Sequence, residues 1–434
     1  MRHMQLRGHG HHWQLLPILC IGLLAVLPAG SLTVPQGRPV ASAQTSRPAV
    51  ASRAAPATTP ELALRLQSLL GQHSLLAADF MRGRIRGDED FAQAANAALG
   101  KNTDAMGQLM GDLFGDATAK KFAPLWAEHI VELFTYAGGL ADQDDDVRAE
   151  AREELIEYEQ DLAGFFVDEA HGRLTTAAAN RAMRMHVDHL LMQADAYAAK
   201  DYPTADRILR ESYEHTYDLG ATIADALLPA KEAAALQAPT WRLRSRLGKL
   251  LAEHVVLVED VTRAAVTNTA DFTAAGQSVN GNTRDLAAAM DILFGATAAK
   301  DFQSLWAYYV EQVVAYASGS AAGDATRRER ARANLHDFEG RMAAFLESVT
   351  GKRLGSSSLA NAFLVHDQML LRHVDAFAGK DYGTAHQIAY ETYEQMFDLA
   401  RQLADAFGAT VAARLPVGGP QTGYGGMADA VGRR

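Results

Sequence analysis

From residue 62 the apolar positions step by four and three along Leu62, Leu66, Leu69, His73, Leu76 and Phe80, which places them on one stripe of an α-helix facing a bundle. The same reading predicts a shorter, broken helix near 91–113 and longer ones near 117–141, 146–170, 175–199 and 203–229. Gly172 and the run Asp201-Tyr202-Pro203 supply stop and start signals between them. Alternation with a period of two is absent, so the expected fold class is all-α. Short connections between such helices favour antiparallel neighbours.

The pattern occurs twice. Sliding the chain against itself by 180–181 positions aligns Leu243, Leu247, Leu250, His254, Leu257 and Val261 with the first stripe. It also aligns Phe302-x-x-Leu305-Trp306 with Phe122-x-x-Leu125-Trp126, and Lys380-Asp381-Tyr382 with Lys200-Asp201-Tyr202. A repeat of this length marks a duplicated structural unit. The expected architecture is two tandem antiparallel helical bundles from an internal duplication, residues 59–230 and 240–411, joined through 230–241, with a disordered tail at 412–434.

The first 43 residues depart from this pattern. Arg2 and Arg7 with no acid precede a 15-residue apolar run, Leu15 to Ala29, and then Ala41-Ser42-Ala43. That is the order of a secretory signal peptide with an A-x-A cleavage site, and the run is shorter than the ~20 residues a membrane span needs. An extracytoplasmic location is expected, whether the leader is cleaved or kept as an anchor. Residues 44–58, rich in Ala, Ser and Pro, read as a flexible linker. The only cysteine, Cys20, lies in the leader, which excludes intrachain disulfides and cysteine-based metal sites. Loss of residues 1–43 removes three arginines and no acid, taking the net charge from −11 to −14. Such a surface argues against nucleic acid as a partner. No segment of the mature chain is expected to span a membrane.

Histidine placement carries the chemical content. His73, His129, His186 and His215 lie on predicted core stripes near mid-helix, where antiparallel helices share one layer. Glu211 is one turn before His215. Together they form a candidate metal site for one Cu, Zn or Fe ion, because neutral imidazole is a common ligand for each. The bland alternative is a set of buried histidines bonded to one another and to Glu211. The second repeat retains His254, His366 and Glu391 but has Tyr309 opposite His129 and Gln395 opposite His215. Tyrosine and glutamine are poor soft-metal ligands, so any metal centre is expected mainly in the first repeat. Asp142, Asp144, Asp146 and Glu153 have calcium-loop spacing, but Val147 stands where the turn glycine belongs, and the bland reading is an acidic helix start. No Glu-x-x-His, His-Glu-x-x-His or Gly-x-Ser-x-Gly occurs. No catalytic residues are assigned.

The motifs LLAEH at 250–254, NTRDL at 282–286, LWAEHI at 125–130 and SYEHTYD at 212–218 resemble an uncharacterised family of exported, internally duplicated helical bacterial proteins, sometimes labelled copper amine oxidase-like. The resemblance covers both repeats and implies no established catalytic residues. The Asn-Tyr pair from which true copper amine oxidases make their quinone is missing. The sequence thus leads to an exported, non-catalytic binding or interaction module of unidentified partner, with a metal-binding protein as the alternative.

Overall fold

A computed structural model describes residues 57–414. The leader, nearly all of the 44–58 linker and the tail beyond 414 lie outside the described residues. Those described form thirteen α-helices and one 3-10 turn, without a strand among them. The first repeat contributes α1 (Thr59–Arg86), α2 (Glu89–Phe114), α3 (Asp116–Asp142), α4 (Asp145–Glu169), α5 (Thr176–Ala198) and α6 (Tyr202–Leu227). After α7 (Ala230–Ala233) and the 3-10 turn Ala234–Gln237 come α8 (Pro239–Thr267), α9 (Phe272–Phe294), α10 (Ala296–Ala322), α11 (Ala325–Val349), α12 (Ser356–Ala378) and α13 (Tyr382–Arg414). The fold class is all-α, and the helix starts of α3–α6 recur 180 positions later in α10–α13.

Local chemistry sets the boundaries. The Glu61 carboxylate accepts from the Thr58 backbone N–H at 2.8 Å and from its hydroxyl at 3.0 Å, which satisfies donors at the start of α1. Asp201 caps α6 by accepting from Thr204 N–H, and Asp381 does the same for α13 from Thr384 N–H. Between α2 and α3 the chain turns at Gly115 with φ 93°, and its counterpart Gly295 turns at 91°.

Helix α1 is the axis of the first repeat, packing on α2, α3, α5 and α6. Its residues are buried continuously from Leu66 to Ala78, so the single expected stripe becomes a helix enclosed on all sides. Small residues opposite the leucines permit this. At Gly220 of α6 a Cβ would come within 2.6 Å of the Gln67 Cα, so α6 approaches α1 backbone to backbone. Helix α8 has the same role in the second repeat, against α9, α10, α12 and α13.

The core side chains sort into two main clusters, one built from first-repeat residues with Leu236 and Trp241, the other from the second repeat. Leu75, Ala78, Leu209, Tyr213 and Tyr217 of the first repeat belong to the second cluster. Both repeats lie within a single compact unit. The contact between them is reciprocal: Tyr213 donates to the Lys249 carbonyl at 3.0 Å and Tyr393 donates to the Ser68 carbonyl at 2.9 Å. The two hydroxyls lie 3.4 Å apart, as at an isologous interface where each side presents the same patch. Beside it Arg82 pairs with Asp206 at 3.0 Å, and Arg263 pairs with Asp260 at 2.8 Å and with Asp271. The segment 230–241, expected as a plain joint, is helical and buries Leu236 and Trp241, whose indole N–H donates to the Pro60 carbonyl at 2.9 Å.

Candidate metal centre

Three helices that pack on one another, α1, α3 and α5, each bring a histidine to one point. His73 and His129 are 0% exposed and His186 is 2% exposed. One nitrogen of each lies within 4.8 Å of those of the other two, and the Nε2 atoms of His73 and His129 are 3.0 Å apart. Metal–nitrogen bonds of ~2.0–2.1 Å in tetrahedral geometry place ligand nitrogens about 3.3 Å from each other. The observed spacings bracket that value.

Burial dominates the electrostatics. It pushes the pKa of His73 and His186 well below the usual histidine value and that of His129 down to about 3. The Trp126 backbone, one turn back and outside hydrogen-bonding geometry, opposes the shift at His129. Mutual repulsion adds to it at His73, from His129 and His186, and at His186, from His129, His215 and His189. All three rings are therefore neutral at pH 7, the form that donates a lone pair to a metal. Aromatic rings wall the site: Trp126 lies with its centroid 4.5 Å from that of His73, and Tyr158 stacks on His129 at 4.5 Å.

The hydrogen bonding is incomplete. The contact between His73 and His129 uses one nitrogen of each, while Nδ1 of both, both nitrogens of His186 and the Trp126 indole N–H have no protein partner. A buried polar atom left unpartnered costs about 1–3 kcal/mol. Three neutral imidazoles carry three ring lone pairs, of which the contact between His73 and His129 uses one, so lone pairs remain for a cation to accept.

The corresponding layer of the second repeat is joined differently. Trp306 donates to His254 Nδ1 at 3.2 Å, His254 Nε2 lies 3.4 Å from the Tyr309 hydroxyl, and that hydroxyl lies 3.0 Å from His366 Nε2. Of the ring and hydroxyl atoms in this Trp306–His254–Tyr309–His366 series, only His366 Nδ1 lacks a partner. Phe338 stacks on Tyr309 where Tyr158 stacks on His129. Burial pushes the Tyr309 pKa well above the ordinary value, so it stays a neutral phenol and a poor ligand.

The other residues expected in the two layers lie elsewhere. His215 is half-buried, with Nε2 3.0 Å from the Ala182 carbonyl, and is not in the group of three. Glu211 is exposed and binds Arg207 at 2.7 Å. Gln395 is half-buried with its Oε1 unpartnered, and Glu391 is exposed, accepting from Gln387 at 2.6 Å. The reason lies in α6, which packs on α1 and α5 and also across the repeats on α8 and α9. Its buried arc is wide, and the side turned to α1 carries Ser212, Tyr213 and Thr216. Thr216 donates to Ser74 at 3.0 Å, while His215 falls at the edge of the arc. Asp144, of the calcium-spaced acids, caps α4 by accepting from the N–H groups of Asp146 and Val147 at 3.1 Å.

Tyr158 and His189 also belong to the surroundings of the centre and were not singled out by stripe and depth. Aligning the two repeats residue by residue marks both, since their counterparts are Phe338 and Met369. Compared with known proteins, the chain matches no family model, no curated protein and no solved structure.

Proposed function

We propose that this protein binds one transition-metal ion, Cu, Zn or Fe, through His73, His129 and His186, and does so as a binding protein rather than a catalyst. The observation that carries the reading is the set of unpartnered imidazole nitrogens in the first layer, against the hydrogen-bonded chain through Tyr309 in the second. An organic ligand has less support. The apolar cavity bordered by Leu247, Met290, Trp306 and Phe407 is about 20 Å³, room for a water-sized guest.

The test is titration of the full chain, without an affinity tag, with Cu(I), Cu(II), Zn(II) and Fe(II), read by calorimetry and elemental analysis. One equivalent is expected for wild type and none for His129→Tyr, whose substitution copies the second repeat and should leave the helical circular dichroism unchanged. Equal uptake by the two proteins would refute the site. The leader pattern in residues 1–43 further supports loading outside the cytoplasm. Intact mass from the native host should then give a mature chain beginning near Gln44, and recovery of the uncleaved chain from the cytosol would overturn this.

A further inference from the structure

A centre this deeply enclosed needs groups that reach solvent to hand an ion inward. Helix α5 carries them. Met185, His189 and Met192 step by four and three, which aligns them on one face. Met185 is 39% and Met192 51% exposed. His189 is half-buried one turn beyond His186, its Nδ1 has no partner, and its ring centroid lies 5.7 Å from that of His215 on α6. Because a carbonyl only accepts, His215 must donate its Nε2–H to Ala182. In the neutral ring that tautomer leaves Nδ1 as a bare lone pair. His189 and His215 are each half-buried, neither enclosed like the triad nor exposed like the two methionines.

The second repeat provides the control. Val365, Met369, Arg372 and Gln395 occupy the corresponding positions, and Met369 is buried. Where the triad is replaced by a hydrogen-bonded layer, both exposed thioethers and both half-buried imidazoles are replaced with it. Packing alone gives little reason for the joint change, since Met185 and Met192 are exposed and the equally exposed Val365 shows that the Met185 position does not require a thioether.

We propose that Met185, His189, Met192 and His215 form an access site that captures a soft monovalent ion, Cu(I) in class, and passes it through His186 to the triad. Thioether sulfur selects soft ions such as Cu(I) over Zn(II). The triad is matched to the same charge. Its three converging side chains are imidazoles, with no carboxylate in the group. The cost of taking an ion out of water grows with the square of its charge, so a monovalent ion enters an uncompensated site far more easily than a divalent one. This inference rests on the metal-binding reading above.

The experiment uses full-length protein and anaerobic Cu(I) supplied as its bicinchoninate complex, with the loss of chelator absorbance giving both rate and endpoint. In Met185→Leu/Met192→Leu the shape is kept and only sulfur is removed; in His189→Gln/His215→Gln the imidazoles are removed. Each pair should still reach one Cu(I) per chain but load about tenfold more slowly, in the range that loss of supporting contacts costs metal sites. Zn(II) loading should be unaffected by the leucine pair. Unchanged Cu(I) rates would overturn the access site while leaving the triad intact. A lost endpoint would also overturn it, by making these residues ligands. Absence of Cu(I) uptake by wild type that still binds Zn(II) or Fe(II) would likewise overturn the access site, whereas absence of uptake of every one of these metals, or uptake retained in His129→Tyr, would sink the metal-binding reading itself.

Discussion

In the second repeat a phenol sits in the middle of the buried layer, with His254 on one side at 3.4 Å and His366 on the other at 3.0 Å. In the first repeat the same helix position carries His129, which meets His73 at 3.0 Å and leaves His186 without a hydrogen bond. A hydroxyl both donates and accepts at a single atom, so one tyrosine can join two imidazoles. A neutral imidazole donates from one edge and accepts at the other, so three of them cannot close a compact ring by hydrogen bonding alone. The comparison shows how one duplicated scaffold holds a self-satisfied polar layer on one side and a set of lone pairs on the other.

The largest expected effect is a gain. Tyr309→His would complete a triad with His254 and His366, and stoichiometry should rise from one equivalent to two in elemental analysis. Asp367 sharpens the comparison, because burial holds its pKa well above the ordinary carboxylate value and both its oxygens lack partners. Ionised beside a metal, it would offer the compensating charge that the first centre lacks. The installed site should therefore favour Zn(II) over Cu(I). A stoichiometry that stays at one would show that the unpartnered nitrogens of the first repeat are not what makes a site.

A second comparison isolates proton binding in metal-free protein. Burial holds the His129 pKa at about 3 in the folded state, against about 6.5 in an unfolded chain. Between those values the unfolded chain takes up a proton that the folded one refuses, so stability is intact above 6.5 and lost as pH falls toward 3. Glu159, raised by burial to about 7, and Asp206, raised to about 6, act in the opposite sense, but both are present in wild type and in His129→Tyr and cancel in the difference. Urea denaturation at pH 7.5 and 5.5 should show wild type losing about 1.4 kcal/mol relative to His129→Tyr. No relative loss would mean that His129 is protonated as readily folded as unfolded, contrary to its burial.

Much of this was legible before the structure, for physical reasons that differ from residue to residue. The stripes through His73, His129 and His186 point inward because a 3.6-residue period leaves little choice on a helix with one apolar face. His215 broke that logic, since α6 buries an arc turned both to its own repeat and to the other. The enclosure of α1 was hidden for a related reason: Gly71, Ser74, Ala77 and Ala78 do not read as a hydrophobic face, yet their small size is what admits a second layer of helices. The reciprocal contact through Tyr213 and Tyr393 joins residues 180 positions apart, beyond the reach of any local pattern. The unpartnered nitrogens depend on ring orientation, which no spacing rule contains.

The smallest effect concerns Tyr158. Its ring stacks on His129 at 4.5 Å, and its hydroxyl is buried without a hydrogen bond, while Phe338 fills the same position over Tyr309 with no hydroxyl to satisfy. Tyr158→Phe should therefore remove an unpartnered polar atom and keep the stacked ring. In metal-free protein the change should be stabilising by about 1 kcal/mol in chemical denaturation, the low end of the cost of an unpartnered polar atom. Metal stoichiometry should stay at one, because a phenol held well above its ordinary pKa by burial contributes no anionic oxygen to a metal. A destabilisation of more than about 1 kcal/mol, the worth of a typical hydrogen bond, would show that the hydroxyl has a partner. The first layer would then be closer to the hydrogen-bonded second layer than the geometry indicates, and the contrast between the two repeats would narrow to the single exchange of His129 for Tyr309.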